Sequence, residues 1–405
     1  MPKINIREID NTGSASLNSM SNVVYIPGAA SKHVEPILYT TAGKFLKAFI
    51  EQGEEGYDPS LAQPYEIDMS AKLAYHLLTL GMHVLYEGFV IESGATVPSI
   101  DWDKLADKSL YNIRFLTTGG YMCPSSKMID CAAKRCDAVA LVDSTTNDVS
   151  AARTFVKGIL DGIDDSISST KDPKSFGASF VPSWKGSLNV FGKITEVAHI
   201  PASFGYLIAF ARSAQNNPIW YAVAGSFRGV IPELVDVDKK YSSAEIEMLQ
   251  ARAASGEVVL DDYGDNVGFA INPIAYVRPF GYIVWGNRTL RENEEDEISG
   301  TGILKATSFL NCRILSTEVA KALYNAARKY TFEQNSVVLW TNFKSEILPL
   351  LNRMESGNGI LAYSIEKLPT VKKARLAARV QLTPIEGVED FDLEIELTDS
   401  ISVTE

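Results

Sequence analysis

Cysteine and histidine are scarce in this chain, with four of each in 405 residues. Cys123, Cys131, Cys136 and Cys312 are too few for a disulfide framework at this length, and they lack the paired C-x-x-C of a zinc site. They read as reduced structural thiols. His33, His76, His83 and His199 fall in no H-x-x-x-H or H-E-x-x-H frame, which argues against a zinc hydrolase. His76 is expected on the polar side of a helix, at the surface. Neither a G-x-S-x-G elbow nor a G-x-x-x-x-G-K-[ST] loop occurs, so serine-hydrolase and P-loop chemistry have no starting residue. No apolar run approaches the ~20 residues needed to cross a bilayer. The N-terminal MPKINIREIDNTGS carries charges and no apolar core, unlike a secretory signal. Against 38 Lys and Arg stand 50 Asp and Glu, a net charge of −12, the wrong sign for coating a nucleic acid. The expectation is a cytosolic, soluble product with no membrane insertion and no nucleic-acid partner.

What is present is ordinary for a globular chain: 46% hydrophobic and 22% charged residues, 28 Gly and 17 Pro. The length suits two or three domains of about 150 residues. Acidic clusters offer no chemistry. Glu292-Asn293-Glu294-Glu295-Asp296-Glu297 reads as an exposed loop, and Asp261-Asp262-Tyr263-Gly264-Asp265 lacks the alternating acids and closing glutamate of a calcium loop. Gly300-Thr301-Gly302 follows an acidic run and lacks the third glycine of a dinucleotide loop. Thr118-Gly119-Gly120, placed after a strand, is the best phosphate-loop candidate, but it reads first as a plain turn. No catalytic residue, cofactor or metal site is assigned.

Periodicity outlines the middle of the chain. Val23-Val24-Tyr25-Ile26 is a short strand stopped by Pro27-Gly28. Ile67, Ala71, Ala74 and Leu78 share a helical face that Gly81 caps, and Met82 to Tyr86 is a buried strand. Residues 110–160 read as β-α-β-α: a strand over 111–116, a helix N-capped by Ser125, a strand over 138–142 and a helix over 151–160. Such alternation implies a parallel sheet with right-handed crossovers. Residues 161–175 read as an exposed loop. Ser242-Ser243-Ala244-Glu245 is a capping box opening a helix. Two long helices follow, over 308–330 and 336–354, the second kinked or broken by Pro349. Strands over 360–365 and 376–382 return beside them.

The ends carry a different pattern. Phe391, Leu393, Ile395 and Leu397 alternate with polar, mostly acidic residues, and Ile4 and Ile6 alternate with Asn5 and Arg7. The Ser/Asn-rich residues 11–22 read as a connector. A terminal strand pairs either with an edge of its own sheet or with a neighbouring molecule's sheet. The last 25 residues hold eight acids and no base, whereas 367–379 hold five bases and no acid.

Residues from 218 onward add a joint spacing. Trp220-Tyr221-Ala222-Val223-Ala224-Gly225-Ser226-Phe227-Arg228-Gly229 resembles the aromatic-Ala-x-Ala-Gly-x-x-Arg-Gly stretch of contractile phage tail sheath proteins. Ile271-Asn272-Pro273-Ile274, followed by Gly281 to Leu290 with Trp285, Gly286, Arg288 and Thr289, is similar to that family's Asn-Pro and Val-x-Trp-Gly-x-Arg-Thr-Leu elements. Thr331-Phe332-Glu333-Gln334-Asn335 resembles its Phe-Glu-Pro-Asn turn, with Gln334 in place of proline. Asn311-Cys312-Arg313-Ile314 has one arginine where many sheaths carry two. The likeness covers about residues 218–400 and is weaker upstream, where Arg135-Cys136-Asp137 resembles an Arg-x-Asp stretch. Trp285 and Tyr282 read as bulky anchors, and Arg288 as a brace for the acidic loop.

The resemblance implies an α/β (α+β) subunit: an N-terminal arm (1–22), an outer α/β domain (23–270, or two lobes with 91–195 inserted), an inner domain of mixed sheet and long helices (271–382) and a C-terminal arm (383–405). It implies a helical homopolymer of stacked rings around a tail tube protein, bounded by baseplate and tail terminator proteins. The sheath would belong to the virion and assemble in the host cytoplasm. Lys344, Glu346 and Arg353, expected as exposed residues of the second long helix, would face the tube. A pyocin-like or type VI-like injection sheath is the near alternative, and a nucleotide-binding α/β enzyme the distant one.

Overall fold

The computed structural model describes residues 22–49, 68–91, 100–167, 172–250, 268–292, 294–295, 302–303, 305–371 and 374–386. The expected arm strands at Ile4, Ile6, Phe391, Leu393, Ile395 and Leu397 lie outside the described residues, as do 261–265. In chain order come β1 (Val23–Ala29), β2 (Val34–Tyr39), α1 (Ala42–Phe49), α2 (Met69–Thr79), β3 (His83–Phe89) and α3 (Trp102–Ala106). β4 (Phe115–Leu116), α4 (Ser125–Arg135), β5 (Val139–Asp143), α5 (Val149–Leu160) and β6 (Gly177–Val181) follow. Then come β7 (Trp184–Val190), β8 (Lys193–Ile200), α6 (Ala202–Asn216), α7 (Gly225–Arg228), β9 (Leu234–Val237) and α8 (Ser243–Leu249). The last group is β10 (Asn272–Val277), β11 (Gly281–Val284), β12 (Glu294–Glu295), β13 (Gly302–Ile303), α9 (Leu310–Lys329), α10 (Val337–Ser356), β14 (Ile360–Leu368) and β15 (Ala377–Pro384).

Alternate side chains of β1 enter two different cores. Val24 and Ile26 join one, Val23 and Tyr25 the other, as the two-residue period of a strand dictates. A strand buried on both faces belongs inside a sheet covered on both sides by helices. The sheet has eight strands in the order β11-β10-β6-β5-β4-β1-β3-β2. Its interior pairs are parallel, with Val24 beside Val84 and Phe115 beside Val139. β2 and β11 close the edges antiparallel. α2 and α6 cover the Val24 face, and α4 and α5 the Val23 face. A three-stranded antiparallel sheet, β8-β7-β9, packs its Trp184, Leu188 and Leu234 into the Val24 core. α9, α10 and the β14–β15 hairpin adjoin that same core through Leu310, Ile314, Phe343, Ile347 and Ile360. The fold class is mixed α/β, as expected.

Two expected boundaries do not coincide with any break in the main sheet. Residues 91–195 contribute its central strands β4, β5 and β6, and the pairing crosses residue 270, where Asn272 and Pro273 lie beside Phe180 and Val181.

Several local expectations need correction. β1 continues through Pro27, because Val23 and Tyr25 point their carbonyls at β4 and Pro27 points the same way after β4 has ended. No ladder bond is lost there. The strand expected over 111–116 reduces to Phe115–Leu116. Ser125 is the first helical residue, with Pro124 at the cap position. Pro349 neither breaks nor ends α10, since it sits exposed and leaves the carbonyl one turn back to solvent. In the expected loop 161–175, Ile163, Ile167 and Ser175 are buried, and 168–171 lie outside the described residues. The capping box at Ser242 forms as expected, with both reciprocal bonds to Glu245. His76 is buried; its Nδ1 accepts from the Asn189 amide at 3.1 Å and its Nε2 lies 3.4 Å from Glu233 Oε1. The helix face that looked polar is covered by β7.

Candidate functional site: a polar joint between sheet and helices

The carboxyl ends of parallel strands are where doubly wound sheets usually take ligands. Here those ends are filled by the protein's own acids. Asp68, which caps α2, accepts from the Tyr86 hydroxyl (2.9 Å), the amides of Ala29, Ser70 and Ala71, and the Tyr121 hydroxyl. Burial still pushes its carboxyl above the ordinary range. Ser70 donates to the Gly119 carbonyl, so the Thr118-Gly119-Gly120 turn is packed against α2. At the end of β5, Asp143 accepts from the Ser203 amide (2.7 Å) and hydroxyl (2.6 Å), and burial raises its pKa to about 6. A nucleotide phosphate would meet carboxylates at both places.

The motif residues from 272 to 311 form a different construction. β10 and the segment after β11 run side by side, and Asn272 is buried between them. Its amide nitrogen donates to the Ser179 carbonyl (3.0 Å) and the Arg288 carbonyl (2.8 Å), while its oxygen accepts from the Arg288 amide (2.8 Å). Gly286 is required beside it, since a Cβ there would lie 2.6 Å from Asn272 Oδ1. Asn287 then reaches the start of α9: its side chain donates to Asn311 Oδ1 at 2.7 Å, and its backbone carbonyl accepts from the Leu310 amide at 2.9 Å. Thr289 extends the seam through its amide to the Ser308 carbonyl (2.9 Å) and its hydroxyl to the Thr307 carbonyl (2.8 Å). Leu290 returns to β6 through the Gly177 carbonyl.

Trp220 continues this joint to the next helix. It is buried, Asn311 Nδ2 donates to its carbonyl at 3.2 Å, and its indole N–H donates to the Gly357 carbonyl at 3.0 Å. Gly359 lies under the ring, where a Cβ would come within 2.6 Å. One chain of contacts thus runs from the sheet, through three asparagines, to α9 and the turn after α10. Gly225 (φ 71°) opens α7, and Arg228 donates from Nε to the Ala222 carbonyl at 2.9 Å with its guanidinium 5.1 Å from the centre of the Tyr221 ring.

Arg288 is buried with its guanidinium 4.8 Å from the centre of the Phe309 ring. Lys174 lies 2.8 Å from Glu292 at the start of the acidic run, of which 293 and 296–297 lie outside the described residues. Trp285 is 40% exposed, so it is not a core anchor; Tyr282 donates to Asp236 at 2.6 Å. In α10, Glu346 and Arg353 are exposed as expected, but Lys344 is half-buried. Glu346 pairs with Lys329 at 3.0 Å, which tethers it to α9 and holds its pKa below the ordinary range. These three residues stand apart from the joint.

Of a second set of buried charges, only Arg135 and Asp137 were singled out from the sequence. Arg114 pairs with Glu318 at 2.6 Å, both buried, binding β4's approach to α9. Arg135 holds Asp137 through Nε (2.8 Å) and also donates to the carbonyls of Leu105 and Tyr111. The Arg-x-Asp stretch was visible in sequence, its partners were not. Among the described residues, no cluster of three or more His, Cys, Asp or Glu could hold a metal ion, and no helix is long and apolar enough to cross a membrane.

No protein-family model and no curated protein sequence matches this chain. Solved structures do. A chain in the cryo-EM structure of the anti-feeding prophage (AFP) baseplate, 6-fold symmetrised, aligns over 98% of this chain and 99% of its own, with a TM-score of 0.60 at 13% identity. A chain of the PVC sheath complex in its contracted state, an extracellular contractile injection system, aligns over 98% of both with a TM-score of 0.59 at 14% identity. A chain of the AFP baseplate in contracted state gives 0.59 at 15% identity over 98% of this chain and 99% of its own. The three share this chain's fold from end to end.

Proposed function

We propose that this chain is the structural subunit of a contractile sheath, a helical homopolymer of stacked rings that surrounds a tube and shortens to drive it through a host envelope. The observation that carries the reading is the end-to-end alignment with chains of contractile assemblies, 98% of this chain in each case. The sheath-like motif spacing of residues 218–335 supports it, because the described residues of that stretch build a joint between sheet and helices. The setting is a phage tail or a related extracellular injection system.

In this reading residues 271–382 face the tube and residues 23–270 face outward, with the continuous main sheet making the two layers one rigid body. The arms, with Ile4 and Ile6 at one end and Phe391, Leu393, Ile395 and Leu397 at the other, add strands to neighbouring copies. The β14–β15 hairpin suits that role, since among the described residues it pairs only within itself and leaves two edges open. Tube, baseplate and terminator proteins are the partners, the virion the destination, and no cofactor or catalysis is needed. Contraction then draws on new subunit interfaces as a metastable arrangement is released.

Negative-stain microscopy of the purified chain, alone and co-expressed with its tube protein, tests this. Striated hollow sheaths are expected from the full chain. A chain ending at Glu386 should stay folded by circular dichroism and form none. Dispersed particles from the full chain under both conditions, or normal sheaths from the truncated chain, would overturn subunit and arm roles respectively.

A further inference from the structure

Between α9 and residues 108–112 lies a cleft of about 240 Å³. Lys321, Tyr324, Asn325 and Arg328 line it at positions i, i+3, i+4 and i+7, one face of the helix. Lys108 closes the other side, its Nζ 5.6 Å from the centre of the Tyr324 ring.

Charge in this cleft does not balance. Three cations, Lys108, Lys321 and Arg328, line it beside one carboxylate, Asp137, and Arg135 already holds that carboxylate through two contacts of 2.8 and 3.2 Å. Lys321 is the telling residue. It is only 7% exposed, and its Nζ has no hydrogen-bond partner among the described residues. Withdrawing an ammonium from water without a partner is costly, so such groups are normally paired. Cations near a helix C-terminus offset the helix dipole, which accounts for Arg328. That effect fades within the last turn and does not reach Lys321.

The geometry points to an oxyanion-binding site in this cleft, where Lys108, Lys321 and Arg328 together take one carboxylate or phosphate group. The Tyr324 hydroxyl and Asn325 amide supply neutral donors at its rim. Burial lowers the Lys321 pKa to about 7, and a bound anion would restore its charge. Two sources share this chemistry: a free oxyanion, and an acidic side chain of a second copy of this chain, the latter resting on the polymer reading.

The first experiment titrates the purified chain with inorganic phosphate by calorimetry, with ionic strength held constant by chloride. Saturable binding at one site is expected, weakened at least tenfold in Lys108→Ala/Arg328→Ala and in Lys321→Met. Lys108 is half-buried and Arg328 exposed, so the double variant keeps the fold even if the buried substitution does not. The absence of saturable heat, or equal binding by wild type and the double variant, would overturn the site. A second arm repeats the titration on assembled sheaths. Sheaths that bind phosphate as the free subunit does assign the site to a free oxyanion, and sheaths that no longer bind it assign the site to a neighbour's carboxylate. The first arm needs no polymer, so its failure is distinguishable from failure of the sheath reading.

Discussion

Lys321 shows how much one side chain can unsettle. Its amine is buried among Arg114, Arg135, Asp137 and Glu318, and burial, then the arginines, lower its pKa to about 7 from the ordinary 10.5. Between those two values the unfolded chain binds a proton that the folded chain does not. Wild-type stability therefore gains from this group as pH rises through that window, and is penalised by it below pH 7. Lys321→Met should remove the penalty, raising unfolding free energy by about 2 kcal/mol at pH 7, with the difference from wild type shrinking toward pH 10. Urea unfolding of both proteins across that range checks the sign, and a destabilised variant at pH 7 would show that the ammonium is held favourably by Asp137 and Glu318. The same buried cation is the reason the cleft beside α9 calls for an anion.

At the scale of elements, the joint between sheet and helices is made by backbone groups that have no strand or helix partner of their own. The Arg288 amide, the Arg288 carbonyl and the Ser179 carbonyl all end on Asn272. Asn272→Ala strands these groups in a site with no access to water, and should cost about 3 kcal/mol. Denaturant midpoints of the variant, with far-ultraviolet circular dichroism as a fold control, measure it; a loss within experimental error would mean that water replaces the amide. Periodicity made α9, α10 and the β-α-β-α unit legible, because apolar spacing alone decides which face of an element is buried. It misplaced His76 and overextended the strand before Thr117. Neither depends on local pattern: β7 covers the His76 face, and β4 ends where the chain turns toward Ser70. Pro349 looked like a break for the same reason, since exposure, which a sequence does not display, decides whether a lost helical bond matters.

For the whole molecule, the main sheet crosses residue 270, and the buried pairs Arg114–Glu318 and Asn287–Asn311 fasten α9 to it. Under the proposed sheath reading, a subunit fastened this way would move as one body while its arms stay linked to neighbouring copies. In that reading the exposed α10 surface would face the tube. Lys344→Glu/Arg353→Glu should loosen an extended sheath on its tube, through charge contacts that salt also screens. Sedimentation of sheath with tube across a salt series reads this out. Unchanged co-sedimentation and firing in the double variant would remove α10 from the tube contact.

The motif spacing from Trp220 to Asn335, the two long helices and the parallel β-α unit were set by the sequence itself, because hydrophobic period, capping residues and obligatory glycines act over a few positions. Only the tertiary structure decided that Asn272, Asn287 and Asn311 form one seam, that Arg135 closes on Leu105 and Tyr111, and that Lys321 is buried beside Arg114 and Asp137. Each of these joins residues far apart in the chain, and a hydrogen bond between distant residues leaves no period in the sequence to read.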